Sequence, residues 1–141
     1  MCAIKKLSII IVNYNGQKFI KNCIDSIYKY CKSVDFEVII VDNNSTDGSQ
    51  EFIKLNYPQI RLLSEKVNLG FGEANNRGAR ISKGENILLL NNDTILTQDI
   101  EPIFRELEKN HVGVVGIKML NKHKKYKPSA GKFPKPLDLL K

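Results

Sequence analysis

Two short runs, LSIIIVN at Leu7 to Asn13 and FEVIIV at Phe36 to Val41, are apolar at nearly every position. A strand with one wet face alternates apolar and polar residues. A run that does not alternate reads as a strand buried on both faces, and such a strand needs helices on both sides of its sheet. The intervening segments supply them. Phe19, Ile20, Cys23, Ile24, Ile27 and Cys31 recur at helical spacing, with Lys18, Lys21, Asn22, Asp25 and Lys29 mostly opposite. A short helix through Phe52 and Ile53 to about Asn56 is stopped by Pro58, and Ile60 to Leu63 reads as a third strand. From Asn68 a glycine-rich loop passes into a helix whose Ala74, Gly78 and Ala79 are small enough to let it sit close to a sheet. NILLL at Asn86 to Leu90 is a fourth strand, and Asp99 to Asn110 is an amphipathic helix using Ile100, Ile103, Phe104 and Leu107. Val112 to Met119 is expected as a fifth strand, loosened by Gly113 and Gly116. The alternation predicts a three-layer α/β/α domain with a mostly parallel sheet, strands near 7–13, 36–41, 60–63, 86–90 and 112–119, over residues 1–120.

In open α/β sheets ligands bind outside the carboxyl ends of the strands. Four polar clusters fall there: Asn13-Tyr14-Asn15, Asp42 to Asp47, the loop from Asn68, and Asn91-Asn92-Asp93. One such cluster is an ordinary turn, whereas four in succession outline a crevice. Asp42, directly after FEVIIV, can accept hydrogen bonds from a base N–H or a ribose hydroxyl; as a turn residue it would nucleate an Asx-turn or cap a helix. Asp47 reads as a cap, since a helix begins right behind it. Asp93, flanked by amide oxygens, is a hard-oxygen donor suited to magnesium or manganese on a diphosphate, or else part of a polar turn. Gly70, Gly72 and Gly78 permit close backbone approach to phosphates, although neither a Rossmann fingerprint nor a Walker loop is present. Asn68 and Asn76 are the side chains of that segment expected to face a ligand, with cap and turn roles as the alternative.

Other chemistries find little support. His111, at the end of an expected helix, reads as a C-terminal cap, and His123 lies among lysines. No Cys/His spacing suggests zinc, and no serine stands in a nucleophile elbow. Cys2, Cys23 and Cys31 are an odd count with two on one helix face, which suits a reducing cytoplasm. Lys5, Lys6 and the apolar run after them mimic a signal peptide, but the run is short and lacks a cleavage site, so it is assigned to a buried strand. The formal charge of +7 is concentrated: Lys118 to Lys141 holds eight lysines and one acid, Asp138, while Met1 to Ile117 counts 14 basic and 14 acidic residues. The neutral body argues against nucleic acid. The basic, Pro-containing tail, residues 121–141, is expected as a solvated segment or the start of an acceptor-binding half, with an anionic membrane surface as its alternative partner.

Taken together, the stretches SIIIVNYNG, VIIVDNNSTDGS, NLGFGEANNRGARISKGENILLLNNDT and VGVVGIKML resemble the family 2 glycosyltransferases of GT-A fold, in the same order and spacing from Leu7 to about Leu120. The resemblance implies that Val12 and Tyr14 lie beside the nucleobase and ribose, and that Asp42 hydrogen-bonds a uracil or thymine. It implies that Asn68, Gly70, Ala74, Asn76 and Gly78 shape the donor site. Asn91-Asn92-Asp93 stands where an Asp-x-Asp or Asp-Asp motif is usual, so Asp93 is the expected Mn2+ or Mg2+ ligand with Asn92 beside the diphosphate. One carboxylate instead of two is similar to a rhamnosyltransferase-like branch. The implied reaction is transfer of a sugar, with inversion, from a UDP- or dTDP-sugar to a glycan or lipid-linked acceptor in cell-wall or polysaccharide synthesis. The implied location is the cytoplasm or the inner face of the membrane. No residue matches the family's catalytic base; Asp138 and Glu101 are first in line. The chain is therefore expected to be an incomplete GT-A domain, the donor-binding half, or a non-catalytic nucleotide-binding module.

Overall fold

A computed structural model describes residues 7–109, 111–121, 123 and 125–127. The chain divides into two compact units, Met1–Pro102 and Ile103–Lys141. The first contains β1 (Leu7–Asn13), α1 (Gln17–Tyr30), β2 (Phe36–Asp42), α2 (Ser49–Asn56), β3 (Arg61–Ser64), α3 (Gly70–Ile81), β4 (Asn86–Asn91) and the start of α4 (Glu101–Leu107). Its four strands are all parallel, in the order β3-β2-β1-β4.

The helices take both faces for a reason of handedness. From β1 the chain steps outward to β2 and β3, then returns past both to pair β4 with the free side of β1. Crossovers between parallel strands are right-handed, so reversing the direction of travel moves the connecting helix to the opposite face. Accordingly α3 closes over Ile39 and Val41, which form a buried cluster with Ala74 against Val12, Leu63 and Ile81. α1 buries Ile20, Cys23, Ile24 and Ile27 and packs with α2. The side chain of Asn13, which points opposite to Val12, bonds Ser49 at the start of α2. Ile9, Ile10, Ile11, Ile39 and Ile40 are fully buried, each contributing about 1.5–3 kcal/mol. β4 is an edge strand: Leu90 is buried, but Ile87 and Leu89 on its other face are exposed.

Gly78 shows why the third helix needs small residues. A Cβ there would lie 2.5 Å from Ile10 Cγ2 and 3.4 Å from Val41 Cγ2. Gly78→Ala gains about 1 kcal/mol of helix propensity. It also overpacks the sheet, at a cost of about 1–3 kcal/mol. We expect a net loss of stability in urea denaturation, and an unchanged or higher midpoint would contradict this packing.

The expected fifth strand does not form. Residues 112–118 carry no strand, and only Met119–Leu120 (β5) pairs, antiparallel, with Tyr126–Lys127 (β6) in the second unit. The physical reason lies in the two glycines of the run, which weaken a strand interior. Gly113 and Gly116 have no atoms near a would-be Cβ, and Val114 is 90% exposed. The helix expected over 99–110 is shorter, Glu101–Leu107, with Asp99 accepting the Glu101 amide at 2.8 Å. Most of the tail expected over 121–141 lies outside the described residues, Asp138 included, as do Cys2 and the lysines at 5 and 6.

Candidate functional site

Parallel pairing brings all four strand ends to one edge. Asn13 is level with Asp42, Asp42 with Ser64, and Val12 with Asn91. The order of strands reverses at β1 and β4, and that boundary is where an α/β sheet opens a crevice. A cavity of about 580 Å³ lies there, lined by Val12, Tyr14, Asn43, Asn68, Gly70, Phe71, Asn91, Asn92 and Asp93. Its size suits a small-molecule site, roughly 300–1,000 Å³. Of the residues singled out from sequence, Val12, Tyr14, Asn68, Gly70, Asn92 and Asp93 are brought together. Asn43 and Phe71 line the cavity and were not foreseen. Asparagine after a strand reads as a turn residue, and a phenylalanine early in a helix reads as core, whereas Phe71 is 59% exposed.

Asp42 lies beneath this cavity rather than on its wall. It is fully buried, and both its oxygens accept bonds from the chain itself. Oδ1 takes the Ser45 amide at 2.8 Å and Gln50 Nε2 at 2.7 Å; Oδ2 takes Asn13 Nδ2 and Ser45 Oγ, each at 2.7 Å. Its neighbour Asn43 faces the cavity. The Asn43 side chain donates to Gly70 O at 3.2 Å and accepts the Leu69 amide at 3.3 Å, tying the end of β2 to the loop before α3. Asn68 accepts the Gly70 amide at 2.8 Å, so it makes the expected turn while also lining the cavity. Gly70, at φ +77°, sits in the left-handed region that favours glycine. Asn76 is further along α3, exposed, and does not line the cavity. Ala74 and Gly78 face the sheet.

The loops after β1 and β2 are zipped together. Asn15, at φ 49°, accepts the Thr46 amide at 2.9 Å and donates its own amide to Ser45 Oγ at 2.9 Å. Asp47 accepts the amides of Gln17 and Ser49, the first residues of α1 and α2, although the N-cap position of α2 itself is held by Gly48 and not by Asp47 as expected. Burial pushes the Asp47 carboxyl up, but bonds from Ser49 Oγ and from the Gln17 and Ser49 amides outweigh it and hold it below the usual carboxylate range.

Asp93 sits in the turn after β4, closed by Thr94 N to Asn91 O at 3.1 Å and held to α1 through Leu96 N to Ser26 Oγ at 3.0 Å. Asp93 is exposed. Burial, and after it the negative charge of Asp93, pushes the nearby Cys23 thiol up to about 12. Among the described residues Asp93 is the one carboxylate lining the cavity, and no group of three or more His, Cys, Asp or Glu side chains could enclose a metal. The donor set at the turn is oxygen only, one carboxylate beside amide oxygens. That fits a hard divalent cation that takes most of its ligands from a bound phosphate group.

The family model for Glycosyl transferase family 2 matches residues 8–135, and the chain belongs to that family. It is 28% identical over 131 residues to the glycosyltransferase GlyG of Streptococcus pneumoniae serotype 4, covering 90% of this chain and 42% of that protein. It is 36% identical over 93 residues to the poly(ribitol-phosphate) beta-glucosyltransferase of Bacillus spizizenii, covering 62% of this chain and 15% of that enzyme. The chain thus spans less than half the length of either relative. Among solved structures, the mannosyltransferase PcManGT from Pyrobaculum calidifontis, in complex with GDP-Man and Mn2+, superposes with a TM-score of 0.70 at 23% identity, covering 79% of this chain and 35% of that one. S. aureus TarS 1-349 in complex with UDP superposes with a TM-score of 0.66 at 22% identity, covering 81% and 38%. These neighbours share the GT-A fold.

Proposed function

We propose that this family 2 glycosyltransferase chain is the donor-binding part of an enzyme that moves a sugar from a nucleoside-diphosphate sugar to an acceptor hydroxyl, with inversion. The observation that carries the reading is the composition of the cavity: Val12, Tyr14, Asn43 and Phe71 offer apolar and aromatic surface with one amide, and Asn91, Asn92 and Asp93 offer oxygen donors. The base, a uracil or thymine, lies against Val12 and Tyr14 with the Asn43 amide in reach. Asp42 supports it from below by fixing the loop that carries Asn43. Asn68 and the Gly70 backbone border the phosphates. Asp93 holds Mn2+ or Mg2+, which when bound neutralises charge on the diphosphate leaving group. Two structural neighbours carry GDP-Man with Mn2+ and UDP, which supports this class of ligand. Relatives named for poly(ribitol-phosphate) and dolichyl-phosphate support a glycan or lipid-linked acceptor. No helix among the described residues is long and apolar enough to cross a membrane.

A thermal-shift screen of UDP-, dTDP- and GDP-sugars with Mn2+ tests the assignment. We expect the uracil or thymine donors to raise the melting temperature more than GDP-mannose does. A shift with GDP-mannose alone would overturn the base assignment, and no shift with any donor would overturn the reading itself.

A further inference from the structure

Asn13 makes more side-chain bonds than its turn-like sequence context suggests. It is fully buried at the end of β1. Its Nδ2 donates to Asp42 Oδ2 at 2.7 Å, to Ser49 Oγ at 2.9 Å and to Ser45 Oγ at 3.2 Å. Its Oδ1 accepts from Asn92 Nδ2 at 2.9 Å. The polarity of this amide follows from its neighbours, since both Asp42 oxygens accept bonds from the chain and so face the NH2 end. The carbonyl end then has to face position 92. Gly16 makes room for the contact, because a Cβ there would fall 2.2 Å from Asn92 Nδ2 and 2.3 Å from Asn13 Oδ1.

We propose that Asn13 is a positioning residue that, oriented by Asp42, presents an acceptor to position 92 and so requires a donor there. Asparagine meets that demand and leaves its own carbonyl oxygen for the cavity it lines, beside Asp93. Aspartate at 92 would add a second anion for a cation, but it would also set a carboxylate against the Asn13 carbonyl oxygen. The single-carboxylate turn is in this account a consequence of what lies beneath it. The same chain of bonds, from Gln50 through Asp42 and Asn13 to Asn92, joins the base side of the cavity to the phosphate side. The cation half of the inference rests on the donor-binding reading above.

The test uses the whole chain and four variants: Asn92→Asp, Asn13→Ala, Gly16→Ala and the double Asn13→Ala/Asn92→Asp. Thermal melting without ligand reads the contact itself. Asn92→Asp should lower the melting temperature at neutral pH, because a carboxylate would then face the Asn13 carbonyl oxygen where a donor stood. In the Asn13→Ala background the same substitution should cost nothing. The second readout is the ratio of UDP dissociation constants in EDTA and in Mn2+. It should fall by about tenfold in Asn92→Asp and in Gly16→Ala, and recover in the double variant. An equal melting loss with and without Asn13, or a higher Mn2+ ratio in Asn92→Asp, overturns the proposal. If Asn13→Ala does not fold, Gly16→Ala replaces it as the background, since its Cβ also breaks the pair. A wild-type chain that binds UDP indifferently to Mn2+, with the melting coupling intact, would refute the donor-site reading and leave the Asn13 requirement standing.

Discussion

Asp42→Ala should destabilise the chain by at least about 1–3 kcal/mol, the cost of one buried donor left without a partner. The carboxylate is fully buried and satisfies four donors, two of them on Ser45, one on Asn13 and one on Gln50. Removing it leaves those donors facing a void, and each buried donor without a partner costs about 1–3 kcal/mol. The costs do not simply add, because Asn13 still reaches Ser49 and Ser45 Oγ can turn. Asp42→Asn should lose nearly as much, since its NH2 would point at one pair of donors. Urea denaturation checks this, with a loss below about 1 kcal/mol contradicting the account. Nucleotide affinity should fall with it, because Asn43, the next residue, would lose its fixed position.

Asp93→Asn should behave in the opposite way, leaving stability unchanged and removing the metal dependence of nucleotide binding. The side chain is exposed in a turn whose backbone bonds do not involve its carboxylate. It is the one carboxylate lining the cavity among the described residues. A neutral amide is a weak ligand for a hard cation. We expect any Mn2+ enhancement of UDP affinity to fall by about tenfold or more, toward none. Binding that is equally weak in EDTA for wild type and variant would show that the base-side contacts survive. An undiminished Mn2+ effect would place the cation elsewhere.

The elements that were legible in the sequence are those whose burial leaves a pattern. β1 and β2 read as buried runs because helices cover both their faces, and α1 reads from its apolar stripe. Strand order was not legible. Nothing local in NILLL says that β4 pairs with β1, and it is that pairing which brings Asn92 within hydrogen-bond distance of Asn13. Val112 to Met119 misled because branched residues alone do not make a strand, and Gly113 and Gly116 weigh against one more than the valines weigh for it. In the site, Asp93, Tyr14 and the Asn68 loop were readable as polar groups at strand ends. Asn13 and Asn43 fell within those strand-end clusters, but their individual roles were not readable, because a bonded asparagine and a turn asparagine look the same until their partners, 29 and 27 residues away, are placed.

The most direct test of the donor site is a calorimetric titration of the wild-type chain with UDP and with uridine, each in Mn2+ and in EDTA. If Val12, Tyr14 and Asn43 hold the nucleoside while Asp93 acts through a cation on the diphosphate, Mn2+ should tighten UDP binding and leave uridine binding unchanged. Equal affinity for UDP with and without Mn2+, or no binding of either compound, would contradict the account.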